Sequence, residues 1–415
     1  MYIPKERAFW SVGFGHLAND IFMSMGSVIL VFMSVAIVPM TNTQIGFAIS
    51  AQQLAGALSQ PAFGLLADKN GGKWLGAGGL MVTMGMFVSW LLVAITTHNY
   101  FLMIIPFICQ GFGSGAVHPV GMLHSAVSNQ TRAASNMSYF FLMGQMGLAL
   151  GPILAGLILD SVNPNPMLPF VQTLGIDNRL LVNNTASPLF GMMLIALPVA
   201  SFMLLAIPTW TKETRDQSSG KTQTMEVATT KKALILPFVI IGLMVTFRGL
   251  ANPGSVNFIP ALFQQKGWSP AEYGFITSLF WISAGISGVI FGNFADRYDR
   301  RWVMFITMAA SAPTFFLLPL ADGGLALILA LGAGSLSGGV HSIIVVLAQE
   351  AIPAGKGLAG GAILGFIFAT GALGSLIIGS LADAIGLATT FQFVAVAVIV
   401  AGGLSLALPK KEKSA

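Results

Sequence analysis

The residues of this chain that could move a proton or hold an anion are few and patterned. His16 is followed by Asn19 and Asp20 three and four residues on, and Asp20 by Ser24 and Ser27 at further steps of four and three, which aligns them along one helix face. Asp20 lies about a dozen residues, or roughly 18 Å, into an apolar stretch. A carboxylate at that depth is costly to keep charged, so burial favours its protonated form and makes it a candidate proton carrier. The structural alternative is an aspartate held permanently by partners. Arg248 and Asn252 stand one turn apart in another stretch, Arg248 about 15 residues from its start. Arginine does not readily lose its charge, so a buried one needs an anion. That anion is either Asp20, at similar depth, or a group on a bound molecule. In a third stretch Gln110, Ser114, His118 and Ser125 share a face, and His341 stands in a corresponding place later in the chain. Histidine titrates near neutral pH, which suits proton transfer as well as hydrogen-bonded packing.

The elements that must position these side chains follow from composition. Of 415 residues, 55% are hydrophobic and 8% charged, against about 25% charged in soluble domains. Such a chain cannot cover itself with a water-facing surface, but it suits a bilayer. Apolar runs near 20 residues occur twelve times: 8–36, 43–66, 74–96, 100–127, 132–159, 188–208, 233–262, 271–294, 302–320, 325–350, 357–382 and 387–408. These runs are twice the length of barrel strands. The expected fold is an all-α polytopic membrane protein with twelve transmembrane helices. Residues 209–232 form the one long polar stretch and divide the chain into a six-helix unit at 1–208 and another at 233–415. The first apolar run has no small-residue cleavage site after it and reads as a retained helix.

Charge placement gives an orientation. With both termini in the cytoplasm, 17 of the 20 Lys and Arg fall on that side, while Asp160, Asp177, Glu272, Asp322 and Asp383 sit at the opposite ends. A basic balance of this kind marks membrane topology, and no nucleic-acid partner is expected. Cys109 is the single cysteine, which excludes a disulfide or a cysteine metal cluster.

The halves repeat each other. Gly64, Asp68, Lys69 and Trp74 recur 228 residues on as Gly292, Asp296, Arg297 and Trp302. Gly115 to His118 recur 223 residues on as Gly338 to His341, and Gly151, Gly156 and Asp160 recur at the same offset as Gly374, Gly379 and Asp383. More weakly, Leu17-Ala-Asn19 matches Leu250-Ala-Asn252. Two parallel repeats imply six-helix bundles related by a pseudo-twofold axis along the membrane normal, with a site between them near the midplane.

These motifs resemble the major facilitator superfamily over essentially the whole chain. The family's loop between helices 2 and 3 is similar to Gly64-Leu-Leu-Ala-Asp68-Lys69-Asn-Gly-Gly72-Lys73, with Gly72 in place of a basic residue. Its second copy has Asp299 where glycine is usual. The resemblance implies a conformational latch at Gly64, Asp68, Lys69, Asp296 and Arg297, made by charge and helix-end contacts. Helix 5 carries Gly144-x-x-Gly147-x-x-x-Gly151-Pro152-x-x-Ala155-Gly156, similar to a signature of proton-coupled exporters. Its small residues, with Pro152 among them, also suit close helix packing. Gln110-Gly111 matches a further exporter motif, although Phe107 replaces its arginine. His16-Leu-Ala-Asn19-Asp20, Ser59-Gln60-Pro61 and His118-Pro119 resemble the fosmidomycin-resistance-like exporters. That subgroup implies efflux of a small compound.

The resulting expectation is a proton-coupled antiporter in the plasma membrane, of the bacterial inner-membrane kind, working as a monomer on a small-molecule substrate. Asp20, His118 and His341 are candidates for proton coupling. His16, Asn19, Gln110, Arg248 and Asn252 are candidates for substrate binding. An uptake permease for an organic anion would use the same residues with opposite coupling. Gly220-Lys221-Thr222 resembles the end of a phosphate-binding loop, but Arg215 stands where its first glycine is required. ATP drive and other cofactors are therefore not expected. No HExxH or Cys/His ligand spacing occurs, so no metal is expected and a membrane enzyme is the weakest reading.

Overall fold

In lipid an unpaired backbone N–H or C=O has no water to bond, so each apolar run closes its own hydrogen bonds as a helix. The computed structural model describes residues 3–128, 133–160, 187–209, 232–341, 343–344, 347 and 356–408, and all regular structure among them is helical. The first half contains α1 (Arg7–Ala36), α2 (Asn42–Asn70), α3 (Lys73–Thr97), α4 (Tyr100–Val127), α5 (Ala133–Leu159) and α6 (Met193–Ala206). In the second half α7 (Lys232–Gly249) passes through irregular turns at Leu250–Ser255 and Val256–Phe258 into the short α8 (Ile259–Gln264). Then come α9 (Pro270–Arg297), α10 (Arg300–Leu317), α11 (Gly323–Ala333), α12 (Lys356–Ile385) and α13 (Leu387–Leu406). Counting α7 to α8 as one passage, the chain crosses the bilayer twelve times. Ten of these helices are long and apolar enough to span by themselves. The more polar α2 buries Gln52 and Gln60 inside the bundle, and α11 runs on through a π turn, Gly334–Gly338. The expected central linker falls almost entirely outside the described residues, as do Arg132, Asp177, Arg179 and the C-terminal lysines.

The halves meet along two seams, α2 against α12 and α5 against α9. Both depend on residues without bulk. A Cβ on Gly379 of α12 would collide with the carbonyl of Asn42, and one on Gly156 of α5 with that of Pro270. At the end away from the termini each seam closes on a carboxylate. Asp383 accepts from the N–H groups of Asn42 (3.0 Å) and Thr43 (2.7 Å), capping the exposed donors of the α2 N-terminus. Asp160 accepts from Ser269 Oγ (3.0 Å) and from the Ala271 N–H, and so caps α9. Both capped helices open with a capping box, Thr41 with Gln44 and Ser269 with Glu272, again 228 residues apart. The sequence places Asp160 and Asp383 at outer helix ends where solvation is cheap, with Glu272 also at an outer end. The structure keeps Asp383 exposed but buries Asp160 and Glu272, and both Asp160 and Asp383 tie helices across the seams.

The same-half packing explains one departure from the exporter pattern. Phe107, in the place of an arginine, has no exposure and meets Trp90 edge-on at 5.0 Å, in a chain of aromatic contacts that continues through Phe87 to Phe22. A charge here would be buried among rings.

Candidate functional site

α1 and α5 approach closely because a Cβ at Gly147 would meet the Leu17 carbonyl and one at Gly151 would meet Ser24. Gly144, one turn before Gly147, lies under the His16 ring, which would clash with any side chain there. The glycine stripe of α5 is thus both a packing surface and the seat of a histidine. His16 stacks on Phe140 (centroids 4.1 Å apart) and its Nδ1 lies 2.9 Å from the Phe140 carbonyl. On α4, His118 Nδ1 lies 2.9 Å from the carbonyl of Ser114, one turn earlier. A carbonyl can only accept, so each Nδ1 carries the ring hydrogen and donates it.

That assignment turns both Nε2 atoms toward one carboxylate. His16 Nε2 is 3.2 Å from Asp20 Oδ2, and His118 Nε2 is 3.6 Å from Asp20 Oδ1. The rings of the two histidines meet edge to face at 4.9 Å. Asn19 Nδ2 donates to Asp20 Oδ1 (2.9 Å) and to Ser114 Oγ (3.0 Å), while Thr83 Oγ1 donates to Asn19 Oδ1 (3.2 Å). His16, Asn19, Asp20 and His118 are all buried. With neutral rings, two lone pairs face a carboxylate and repel it. Each Nε2···O contact becomes favourable once a proton sits between its atoms. The cluster therefore has two places for a proton in a fixed hydrogen-bond frame.

The second half is built differently. Asn252 leaves helical geometry (φ −149°, ψ 115°) in the turn after α7. Arg248, 3% exposed, donates from Nε to the Ser337 carbonyl at 3.2 Å, and none of the described residues receives its two terminal amino groups. No described carboxylate lies within ion-pair distance of it. The Asp20–Arg248 pair permitted by their similar depth is therefore not formed: Asp20 is occupied by two histidines. His341 is partly buried within electrostatic reach of Arg248. The repeat that relates Asn19 to Asn252 sets Pro253 opposite Asp20. The N-terminal half thus presents an acid–base cluster and the C-terminal half a cation, despite their common fold.

Other candidates separate. Gln110 accepts from Gln52 Nε2 (3.0 Å) and donates to the Phe22 carbonyl (3.3 Å), joining α4 to α2 and α1. It is not brought to the Asp20 cluster. Gly64, Asp68 and Lys69 lie within α2, so the turn expected around them shrinks to Gly71 and Gly72, at φ 72° and 69°. A side chain at Gly72 would also strike Val120. That contact explains the missing basic residue. Asp296 and Arg297 close α9, while Asp299 caps α10 and grips Arg301 at 2.7 Å, a cap that glycine could not provide. Among the described residues none of Asp68, Lys69, Asp296 and Arg297 is in an ion pair, so the expected charge contacts of the latch are not seen there. His124, not singled out in the sequence, donates from Nε2 to the Gly71 carbonyl at 2.6 Å and fastens α4 to that turn. Thr83, Phe140 and Phe368, whose ring meets His118 edge-on at 5.6 Å, were also without a sequence signal.

The family model described as Major Facilitator Superfamily matches residues 12–252 and 241–415. The chain belongs to the major facilitator superfamily. This facilitator is 25% identical over 377 residues to the fosmidomycin resistance protein of Escherichia coli K12, covering 90% of this chain and 86% of that one. It is 26% identical over 423 residues to the uncharacterized MFS-type transporter YfnC of Bacillus subtilis 168, covering 97% and 92%. Its fold matches the partially occluded inward-open xylose transporter XylE of E. coli, with TM-score 0.73, 13% identity and 99% of each chain covered. It likewise matches an inward-facing bacterial homologue of the lysosomal transporter Spinster, with TM-score 0.71, 12% identity and 97% and 96% covered. The facilitator is a multi-pass membrane transporter and not an enzyme.

Proposed function

We propose that this facilitator is a proton-coupled exporter that exchanges protons for a small anionic or amphiphilic molecule by alternating access. The observation that carries the reading is the convergence of two imidazole Nε2 atoms on the Asp20 carboxylate, with both Nδ1 hydrogens already committed. A proton arriving from one side of the membrane enters this cluster and leaves to the other after the halves rock. Arg248, with its terminal amino groups free of described partners, receives the anionic group of the substrate. Positive-inside counting supports cytoplasmic termini in a bacterial inner membrane. The six-helix units at residues 1–208 and 233–415 are the rocking bodies, joined by 209–232, and one chain suffices. The E. coli relative is named for resistance to fosmidomycin, which accords with export.

Proteoliposomes carrying the protein and an imposed pH gradient test this, with fosmidomycin among a panel of small organic anions. Antiport drives the substrate toward the acidic compartment as protons run the other way. Accumulation on the alkaline side instead establishes uptake by symport, the second reading, which Arg248, without a carboxylate partner among the described residues, supports equally.

A further inference from the structure

We propose that His16, Asp20 and His118 also form a binding site for a divalent transition-metal ion of the zinc or cobalt type, at the centre of the N-terminal bundle. The candidate ligand atoms of the three residues all lie within 4.8 Å of one another. A tetrahedral ion with bonds of about 2.0–2.2 Å to nitrogen and oxygen sets its ligands about 3.3 Å apart. His16 Nε2 lies 3.2 Å from Asp20 Oδ2 and His118 Nε2 3.6 Å from Asp20 Oδ1, so each imidazole stands near that edge from a different carboxylate oxygen. A turn of the carboxylate that presents one oxygen to both rings, with a closer approach of the two imidazole nitrogens, completes the set.

The surroundings are those of metal ligands. A ligating histidine turns its second ring N–H to a backbone carbonyl or carboxylate, which fixes the tautomer and aims the lone pair. Both histidines do so here, through Phe140 and Ser114. Asn19 holds the carboxylate from one side, while Phe140 and Phe368 shield the imidazoles. Two nitrogens and one oxygen favour a transition metal over magnesium or calcium, which take oxygen ligands. Three protein ligands leave a fourth position open to water or an anion. No metal-ligand spacing is visible in the sequence because two ligands lie on α1 and the third on α4, 98 residues after Asp20.

This site shares its residues with the proton cluster and so deepens the proposed function: the metal and the protons need the same Nε2 lone pairs and exclude one another. Its first test does not require transport. Tag-free protein in detergent is titrated with Co2+, whose tetrahedral complexes absorb strongly in the visible. One Co2+ per chain, a band displaced by Zn2+, and loss of the band in His16→Gln, Asp20→Asn and His118→Gln but not in His98→Gln are expected. Retention of the size-exclusion profile shows that the variants are folded. As a readout free of variants, Zn2+ raises the melting temperature of the wild-type protein. No saturable band and no thermal shift in the wild type, or a band that survives all three ligand substitutions, overturns the site. In proteoliposomes Zn2+ slows proton-driven flux, and raising the proton concentration relieves the block. Stoichiometric binding without inhibition upholds the metal site and refutes the coupling role of the cluster.

Discussion

At the residue scale, the decisive feature is the difference between the two buried charges. Asp20 is surrounded by groups that can give or take a proton, whereas among the described residues Arg248 has a single backbone acceptor. Asp20→Asn removes the proton-accepting charge but keeps an oxygen for Asn19. Net flux driven by a pH gradient is expected to collapse in this variant, while substrate-for-substrate exchange persists. Exchange with unaltered pH dependence would exclude Asp20 as the carrier. Arg248→Lys keeps a charge but loses the planar fork. If a charge-assisted hydrogen bond is worth about 1.5–3 kcal/mol, apparent substrate affinity falls by roughly tenfold to a hundredfold. The maximal rate is largely retained. Gly144→Ala pushes a methyl group into the His16 ring, so its coupling ratio of protons to substrate falls before its expression does.

At the element scale, small residues and helix ends decide which helices can lie together. Gly151→Leu would force α5 away from Ile21 and Ser24 of α1. Overpacking of that kind costs about 1–3 kcal/mol, and a lower melting temperature in detergent reports it. The paired caps on the far face give a sharper contrast. Asp383→Ala uncaps two exposed N–H groups of α2, a loss of about 0.5–2 kcal/mol. Burial pushes the Asp160 carboxyl above the usual carboxylate range, helped by the nearby Glu272 charge and opposed by the Ser269 hydrogen bond. A raised value means that the protonated form fits the fold better. Its stabilisation is complete below the ordinary carboxylate range and fades as pH rises through the raised value. Asp160→Asn mimics the protonated form, so its melting temperature should equal or exceed that of the wild type at pH 7. The gap should narrow as the pH falls toward 5.

At the scale of the whole molecule, the Asp160 and Asp383 ties close the two seams at one end, while among the described residues Asp68, Lys69, Asp296 and Arg297 form no ion pair at the other. Fusing a reporter after Lys413 checks the absolute orientation: a cytoplasmic fluorescent protein should light up there, and a periplasm-dependent phosphatase should stay inactive. A bright phosphatase would invert the topology and the direction assigned to transport.

The span count, the internal repeat and the membrane class were legible in the sequence because a bilayer enforces length and apolarity locally, helix by helix. The one-face alignment of His16, Asn19 and Asp20 was legible for the same reason, since it needs only helical periodicity. Whether Asp20 meets Arg248 or His118 was not, because both are distant in sequence and depth alone cannot rank them. The glycine stripe of α5 reads as packing in any sequence; that Gly144 seats the His16 ring depends on how α1 crosses it. Asp160 and Asp383 likewise repeat visibly, but only the seams show them capping the helices of the opposite half. Sequence by itself determined the helices and the symmetry, which follow from local chemistry in lipid. Tertiary structure alone decided which polar side chains face one another and where the symmetry breaks, because those depend on helix contacts separated by about a hundred residues or more.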